Sequence, residues 1–239
     1  MSLKQSAFDL WLLGLREALR AGRWYPWLKL GAAVTVTAML SFVLAGSVIE
    51  ETSIFTISLL PEAEEGAAQI SLSETADFEK PVTVLGVTGI DDMTNISETW
   101  LPEGLDELDG EHNGHDYIAY TFYVKNVGEK AATLTEQILL DSAVLGAEQA
   151  IRIKVYRNGQ PTTYAKQAAN GLPEPATIPF ESEEIIAHND TPDFKPGDTV
   201  KYTLVIWLEG DDPECLDNIR GGNVKMSMTF TVQEQEPQP

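Results

Sequence analysis

From Val224 to Val232 the chain alternates without a break, Val224, Met226, Met228, Phe230 and Val232 against Lys225, Ser227, Thr229 and Thr231. A period of two residues is that of a pleated strand with one buried and one wet face. The preceding run has the same period. Tyr202, Leu204, Ile206 and Leu208 share one face, and Lys201, Thr203, Val205, Trp207 and Glu209 share the other. That second face is itself partly apolar, which predicts a strand in the middle of its sheet. Gly210, Pro213, Gly221 and Gly222 interrupt any regular element between the two runs, so an acidic, turn-rich loop must join them.

Further runs of this kind precede them. Residues 53–60 are β-prone and end at Pro61, and an acidic linker follows at 62–66. Residues 68–73 and 82–87 predict two more strands, whereas 95–116 has no apolar period and predicts a long exposed loop. Residues 117–126 predict a strand with Ile118, Tyr120, Phe122 and Val124 toward the core. Residues 132–140 predict another, and 143–149 a helical turn. In the next strand Ile151, Ile153 and Val155 face inward while Arg152 and Lys154 face water, and Asn158-Gly159 supplies a hairpin turn. Residues 160–179 read as irregular, 184–188 as a short edge strand and 194–198 as a turn. Eight or nine short strands with little helix predict an all-β fold, a jelly-roll or immunoglobulin-like β-sandwich over residues 67–232, followed by a disordered tail at 233–239.

The amino-terminal part has a different pattern. Residues 30–48 are nearly all apolar or small, about the length that crosses a bilayer as a helix. Basic residues precede this run, and Glu50 and Glu51 follow it, so the amino end is expected in the cytoplasm and the remainder outside. The run reads either as the h-region of a signal peptide or as a transmembrane helix. Ala45-Gly46-Ser47 fits the small-x-small pattern of a cleavage site between Ser47 and Val48. Residues 1–29 form a basic, amphipathic segment with Trp11, Trp24 and Trp27, either an interfacial helix or an extended n-region. The expected location is therefore secreted or on the cell surface, membrane-anchored if the segment is retained.

Charge and chemistry narrow the function. The formal net charge is −21; residues 1–47 carry +3, which leaves −24 on the remaining 192 residues. Such a body excludes nucleic acid, whose phosphates need clustered Lys and Arg. The three histidines, His112, His115 and His188, form no His-Glu-x-x-His pattern, and no nucleophile elbow, phosphate loop or Rossmann fingerprint is present. The chain is read as a non-enzyme. Glu209, Asp211, Asp212, Glu214 and Asp217 make the acidic loop a candidate Ca²⁺ site, because hard cations take several carboxylate oxygens from one loop. No other cofactor is indicated. Cys215 stands alone, so no disulfide forms within the chain.

The export segment resembles, together with Tyr117-Ile-Ala-Tyr-Thr-Phe-Tyr-Val-Lys-Asn-Val-Gly128, Ala150-Ile-Arg-Ile-Lys-Val-Tyr-Arg-Asn-Gly159, Pro196-Gly-Asp198 and Ile206-Trp-Leu-Glu-Gly-Asp-Asp-Pro-Glu-Cys215, the corresponding blocks of the TasA/camelysin group. These are secreted proteins of Gram-positive bacteria exported through a SipW-type signal peptide. The resemblance implies a jelly-roll-like sandwich and a self-associating subunit of biofilm-matrix or cell-surface fibres, in which the N-terminal strand of one copy completes the sheet of the next. It also raises a metallopeptidase activity, since the camelysin branch is classed so. On this reading residues 49–66 hold a donor strand and its linker, with Ile54, Phe55, Ile57 and Leu59 filling pockets on a neighbour. An ordinary first strand of the same domain is the alternative, as is a membrane-anchored, monomeric surface domain.

Overall fold

The computed structural model describes residues 53–60 and 69–234. The basic segment 1–29, the apolar segment 30–48, the Ser47–Val48 cleavage site and the acidic linker 62–66 lie outside the described residues. Among the described residues no helix is long and apolar enough to cross a membrane.

Two mixed sheets pack face to face as a β-sandwich, as the strand pattern predicts. The first holds β1 (Ser53–Leu59), β3 (Val84–Thr88), β6 (Ala132–Val144), β10 (Ile185–Phe194) and β12 (Asn223–Glu234), in the order β10-β6-β12-β1-β3. The second runs β2-β5-β11-β7-β8-β9, formed by β2 (Ile70–Ser73), β5 (Tyr117–Asn126), β7 (Ile151–Arg157), β8 (Gln160–Ala165), β9 (Ile178–Pro179) and β11 (Thr199–Leu208); β4 (Gly110–Glu111) adds to β5.

The core lies between the sheets and takes the inward half of each alternating run. Ile118, Tyr120, Phe122 and Val124 are at most 1% exposed, and Met226, Met228 and Phe230 are fully buried opposite them. Phe122 stacks on Tyr202 at 5.3 Å between centroids, and Phe230 tilts against Tyr202 at 5.3 Å and meets Phe122 edge-on at 5.9 Å. Aromatic groups of this kind contribute about 0.5–1.5 kcal/mol per pair beyond the area they bury. β11 is central, as predicted, between β5 and β7. The β7–β8 hairpin turns at Asn158 and Gly159, with φ of 49° and 80°, the left-handed pair that matches the twist of the flanking strands.

Six expectations change. Residues 95–116 do not form an exposed loop. Ile96 and Leu105 cover the outer face of the second sheet and bury Ala119, Val205 and Trp207 in a second, smaller core. The backbone joins in, Ile96 N–H donating to Leu208 O at 2.9 Å and Gly210 N–H to Ile96 O at 2.9 Å. Arg152 does not face water: it is 4% exposed, because the acidic loop folds over its strand. Ala143 and Val144 belong to β6, and only residues 147–149 make a helical turn, of 3₁₀ type. Residues 160–179 contain strands β8 and β9, where Pro161 and Pro179 had masked the period. β10 is an edge strand of ten residues rather than a short one, with two irregularities and Pro192 that discourage pairing along its free side. At the carboxyl end β12 takes in Gln233 and Glu234, the first two residues of the predicted tail.

Candidate functional site

β1 is the first described strand, and it sits inside a sheet rather than at its edge. It runs parallel to β12, with Phe55 opposite Met226, Ile57 opposite Met228 and Leu59 opposite Phe230. On its other side it runs antiparallel to β3, with Ile57 opposite Leu85 and Phe55 opposite Val87. No hairpin ties it to either neighbour, since β12 is the last of the described strands and β2 lies in the other sheet. Of the four predicted donor residues, Phe55 and Ile57 are fully buried and Leu59 is half-buried against the core. Ile54 precedes them at an irregularity in the β1–β3 pairing, half-buried against the same core, with its Cγ2 2.6 Å from where a Cβ on Gly89 would stand. Glycine is required at that close approach. At about 1.5–3 kcal/mol for each large apolar side chain fully buried, Phe55 and Ile57 anchor the strand by about 3–6 kcal/mol before its ladder is counted.

The acidic loop does not gather its five predicted carboxylates. Glu209 accepts from Trp207 Nε1 (3.0 Å), Glu98 N (3.1 Å) and Asp211 N (3.1 Å), which holds residues 96–98 over the sheet. Asp211 accepts from Ser97 Oγ at 2.7 Å, and Asp217 pairs with Arg220 at 3.1 Å in solvent. Asp212 and Glu214 instead meet Glu174, from the segment between β8 and β9, with ligand atoms within 4.8 Å of one another. Sequence reasoning missed Glu174, whose 38-residue separation from Asp212 leaves no local signal.

Arg152 occupies the centre of this group. Its Nη2 stands 2.6 Å from Asp212 Oδ2 and 3.2 Å from Glu174 Oε2, and its Nη1 donates to Ile151 O at 3.2 Å. Burial raises the Glu174 carboxyl above the ordinary glutamate range, with Asp212 adding to the rise and Arg152 opposing it. A Ca²⁺ bound to Glu174 and Asp212 would have to displace the guanidinium that already neutralises them. Cys215, half-buried beside this cluster, has its thiol pushed up by burial and by the charges of Asp212 and Glu209. A thiol so placed is a poor nucleophile.

A second buried acid bridges the sheets. Glu136 of β6 is 4% exposed; Tyr202 of β11 donates its hydroxyl to Oε2, Asn189 of β10 donates to Oε1 at 3.1 Å, and Arg157 Nε of β7 lies 3.6 Å away. Burial raises its pKa, against the opposing effects of Tyr202, Arg157, Asn189 and His188.

The histidines do not assemble. His112 lies between the carbonyl oxygens of Gly110 (2.9 Å) and Leu105 (2.8 Å), His115 is 85% exposed at its side chain beside Asp116, and His188 is exposed on β10.

No protein-family model matches the chain, and no curated protein matches it. Among solved structures the chain is similar to a β-glucosidase from Kluyveromyces marxianus in complex with glucose, at 14% identity and a TM-score of 0.25, over 75% of this chain and 18% of that one. The chain thus spans under a fifth of that protein's length, and a likeness at this level carries no statement about fold or activity.

Proposed function

We propose that the protein is an exported structural β-sandwich, a self-associating subunit of an extracellular matrix or cell-surface fibre, in which β1 of one copy enters the sheet of the next. The observation that carries this reading is the position of β1: the first described strand, buried between β12 and β3 and held by no hairpin. Its removal would open a groove floored by the core, with Met226, Met228 and Phe230 on one wall and Leu85 and Val87 on the other. The β1 of a second copy matches that groove pair for pair, and the ladder satisfies the backbone on both sides. The eight residues 61–68 between β1 and β2 can extend at most about 29 Å, which bounds how far an exchanged β1 can reach. The apolar segment 30–48 and the acidic body support export, and the resemblance to the TasA/camelysin group points the same way.

The same position of β1, closed onto its own sheet, also favours one rival, a monomeric surface domain anchored through residues 30–48. Intact mass, N-terminal sequencing and the size distribution of the native protein separate the two. A chain starting near Val48 in large assemblies, reduced to monomers when residues 49–60 are deleted, is the expected result. An intact chain found solely in membranes as a monomer overturns the fibre reading.

A further inference from the structure

The chain enters β1 at the end of the sandwich where β12 begins and β6 stops. β1 runs parallel to β12 with Phe55 opposite Met226, and Asn223, the first residue of β12, lies opposite Val144, the last of β6. Three loops make up that end: residues 145–150 between β6 and β7, 166–177 between β8 and β9, and 209–222 between β11 and β12. They are joined to one another. Glu209 N–H donates to Ala150 O at 2.8 Å, Ala169 N–H donates to Glu214 Oε1 at 3.1 Å, and a Cβ on Gly222 would stand 2.7 Å from Val144 O.

Val144, Leu145, Leu172 and Leu216 project from this end, between 50% and 62% exposed. Leu145 has a φ of 60° beside Gly146 at 75°. A left-handed backbone strains a leucine and suits glycine or asparagine, so the turn by itself does not account for the residue placed there. Leu172 sits at the tip of a tight turn, where its N–H donates to Asn170 Oδ1 at 2.8 Å. The carboxylates around these side chains are largely engaged: Asp217 with Arg220 at 3.1 Å, Glu148 with Lys166 at 3.3 Å, and Asp212 and Glu174 with Arg152.

We propose that this end is a lipid-docking surface, whose four apolar side chains enter the headgroup boundary of the bilayer into which the apolar segment 30–48 is read to insert. The choice of a bilayer rests on where the described chain begins. Only residues 49–52 separate that segment from Ser53, and four residues extend at most about 14 Å. A body on so short a tether meets the bilayer with the end at which β1 starts. A lipid surface needs no matched partner face, so a few inserted side chains suffice where a protein interface begins at about 1,200 Å². The tether also makes the contact intramolecular, which multiplies a weak insertion. Carboxylates still outnumber cations on these loops, so the surface that fits is zwitterionic rather than anionic. Docking fixes the orientation of the body and leaves Leu59, at the far end of β1, pointing away from the membrane. This goes beyond the fibre reading and does not depend on it, since it concerns the chain that still carries residues 30–48.

The test uses the full chain in phosphatidylcholine vesicles. In a Cys215→Ser background, Leu145→Cys, Leu172→Cys and Leu216→Cys each receive an environment-sensitive fluorophore. Quenching by lipids brominated near the headgroup is compared with that of Val127→Cys, 50% exposed just past β5 at the opposite end. Quenching several-fold above this control is expected, and quenching no greater than the control overturns the proposal. Because the fluorophore is itself apolar, a second variant removes the side chains that drive insertion: Leu145→Asn/Leu216→Asn, labelled through Leu172→Cys. Asparagine suits the left-handed turn, so Leu145→Asn should not lower the urea midpoint, whereas quenching in the double variant should drop several-fold toward the control. Quenching unchanged by these substitutions means that the tether alone brings the loops near lipid, and it overturns the proposal. Unlabelled Leu145→Cys chains that oxidise to dimers, while their labelled counterparts stay unquenched, identify a second copy as the occupant and overturn it as well.

Discussion

Replacing Arg152 with methionine tests whether the cluster it forms with Glu174, Asp212 and Glu214 holds one end of the sandwich together. Methionine keeps the apolar stem of the side chain and removes the charge, leaving carboxylates whose oxygens lie within 4.8 Å of one another. The Asp212 side chain is fully buried and that of Glu174 is 6% exposed, so neither is rescued by water. At an effective dielectric constant near 20, two unit charges about 4.8 Å apart repel by roughly 3 kcal/mol, and breaking a buried ion pair costs about 3–5 kcal/mol. Domains of this kind have about 5–15 kcal/mol in all, so Arg152→Met is expected to lose a large part of the stability at neutral pH. Urea unfolding followed by intrinsic fluorescence reads this directly through the buried Trp207. Two further outcomes identify the cause as charge rather than lost packing. The deficit should shrink as the pH falls toward the ordinary carboxylate range, because protonation removes the repulsion. Adding Asp212→Asn to Arg152→Met should recover at least half of it, giving a coupling energy well above 1 kcal/mol in a double-mutant cycle. A loss under 1 kcal/mol, or one that does not change with pH, would refute the reasoning.

Other perturbations probe other parts of the fold. Phe55→Ala should cost about 3–5 kcal/mol in thermal or urea unfolding, because it leaves a cavity between β12 and β3 that neighbouring strands cannot close; Ile54→Ala, half-buried at the margin of the core, should cost less. Glu136 gives a pH dependence of fixed sign. Its folded pKa is raised by burial, so the stability it contributes is full below the ordinary glutamate range and is lost as pH rises through the folded value. The melting temperature of the wild type should therefore fall, relative to Glu136→Gln, as the pH is raised from the acidic side to neutral; parallel curves would exclude this role. Gly159→Ala, at φ 80° with Asp106 Oδ2 3.7 Å from the new methyl carbon, meets no clash and should cost about 1 kcal/mol through backbone strain alone, measured by calorimetry.

The alternating runs of β5, β11 and β12 locate those strands to within a residue or two, since the period of two is imposed by burial of one face and is written into each strand's own side chains. The partly apolar second face of β11, with Val205 and Trp207, likewise announces a central strand, and the structure adds a covering layer over that face. What it does not announce is that residues 95–116 provide the cover: Ile96 and Leu105 are isolated apolar positions among acids and glycines, without a period to read. Arg152 fails for the opposite reason. In its strand it occupies a regular outward position, and an outward arginine is ordinarily solvated; only Asp212 and Glu174, 60 and 22 residues away, bury it. The acidic loop reads as one cation site because its carboxylates are close in sequence, yet three of the five turn to separate partners.

The sequence by itself determined that the body is all-β, which faces of its main strands are buried, and where the Asn158-Gly159 hairpin turns, because each is a property of a few consecutive residues. Tertiary structure alone decided that β1 lies between β12 and β3 and that Arg152 neutralises carboxylates from two loops. Those facts depend on which strands are neighbours and in what register, and strand pairing is set by contacts between residues far apart in the chain, where a shift of one position would exchange the buried face for the exposed one.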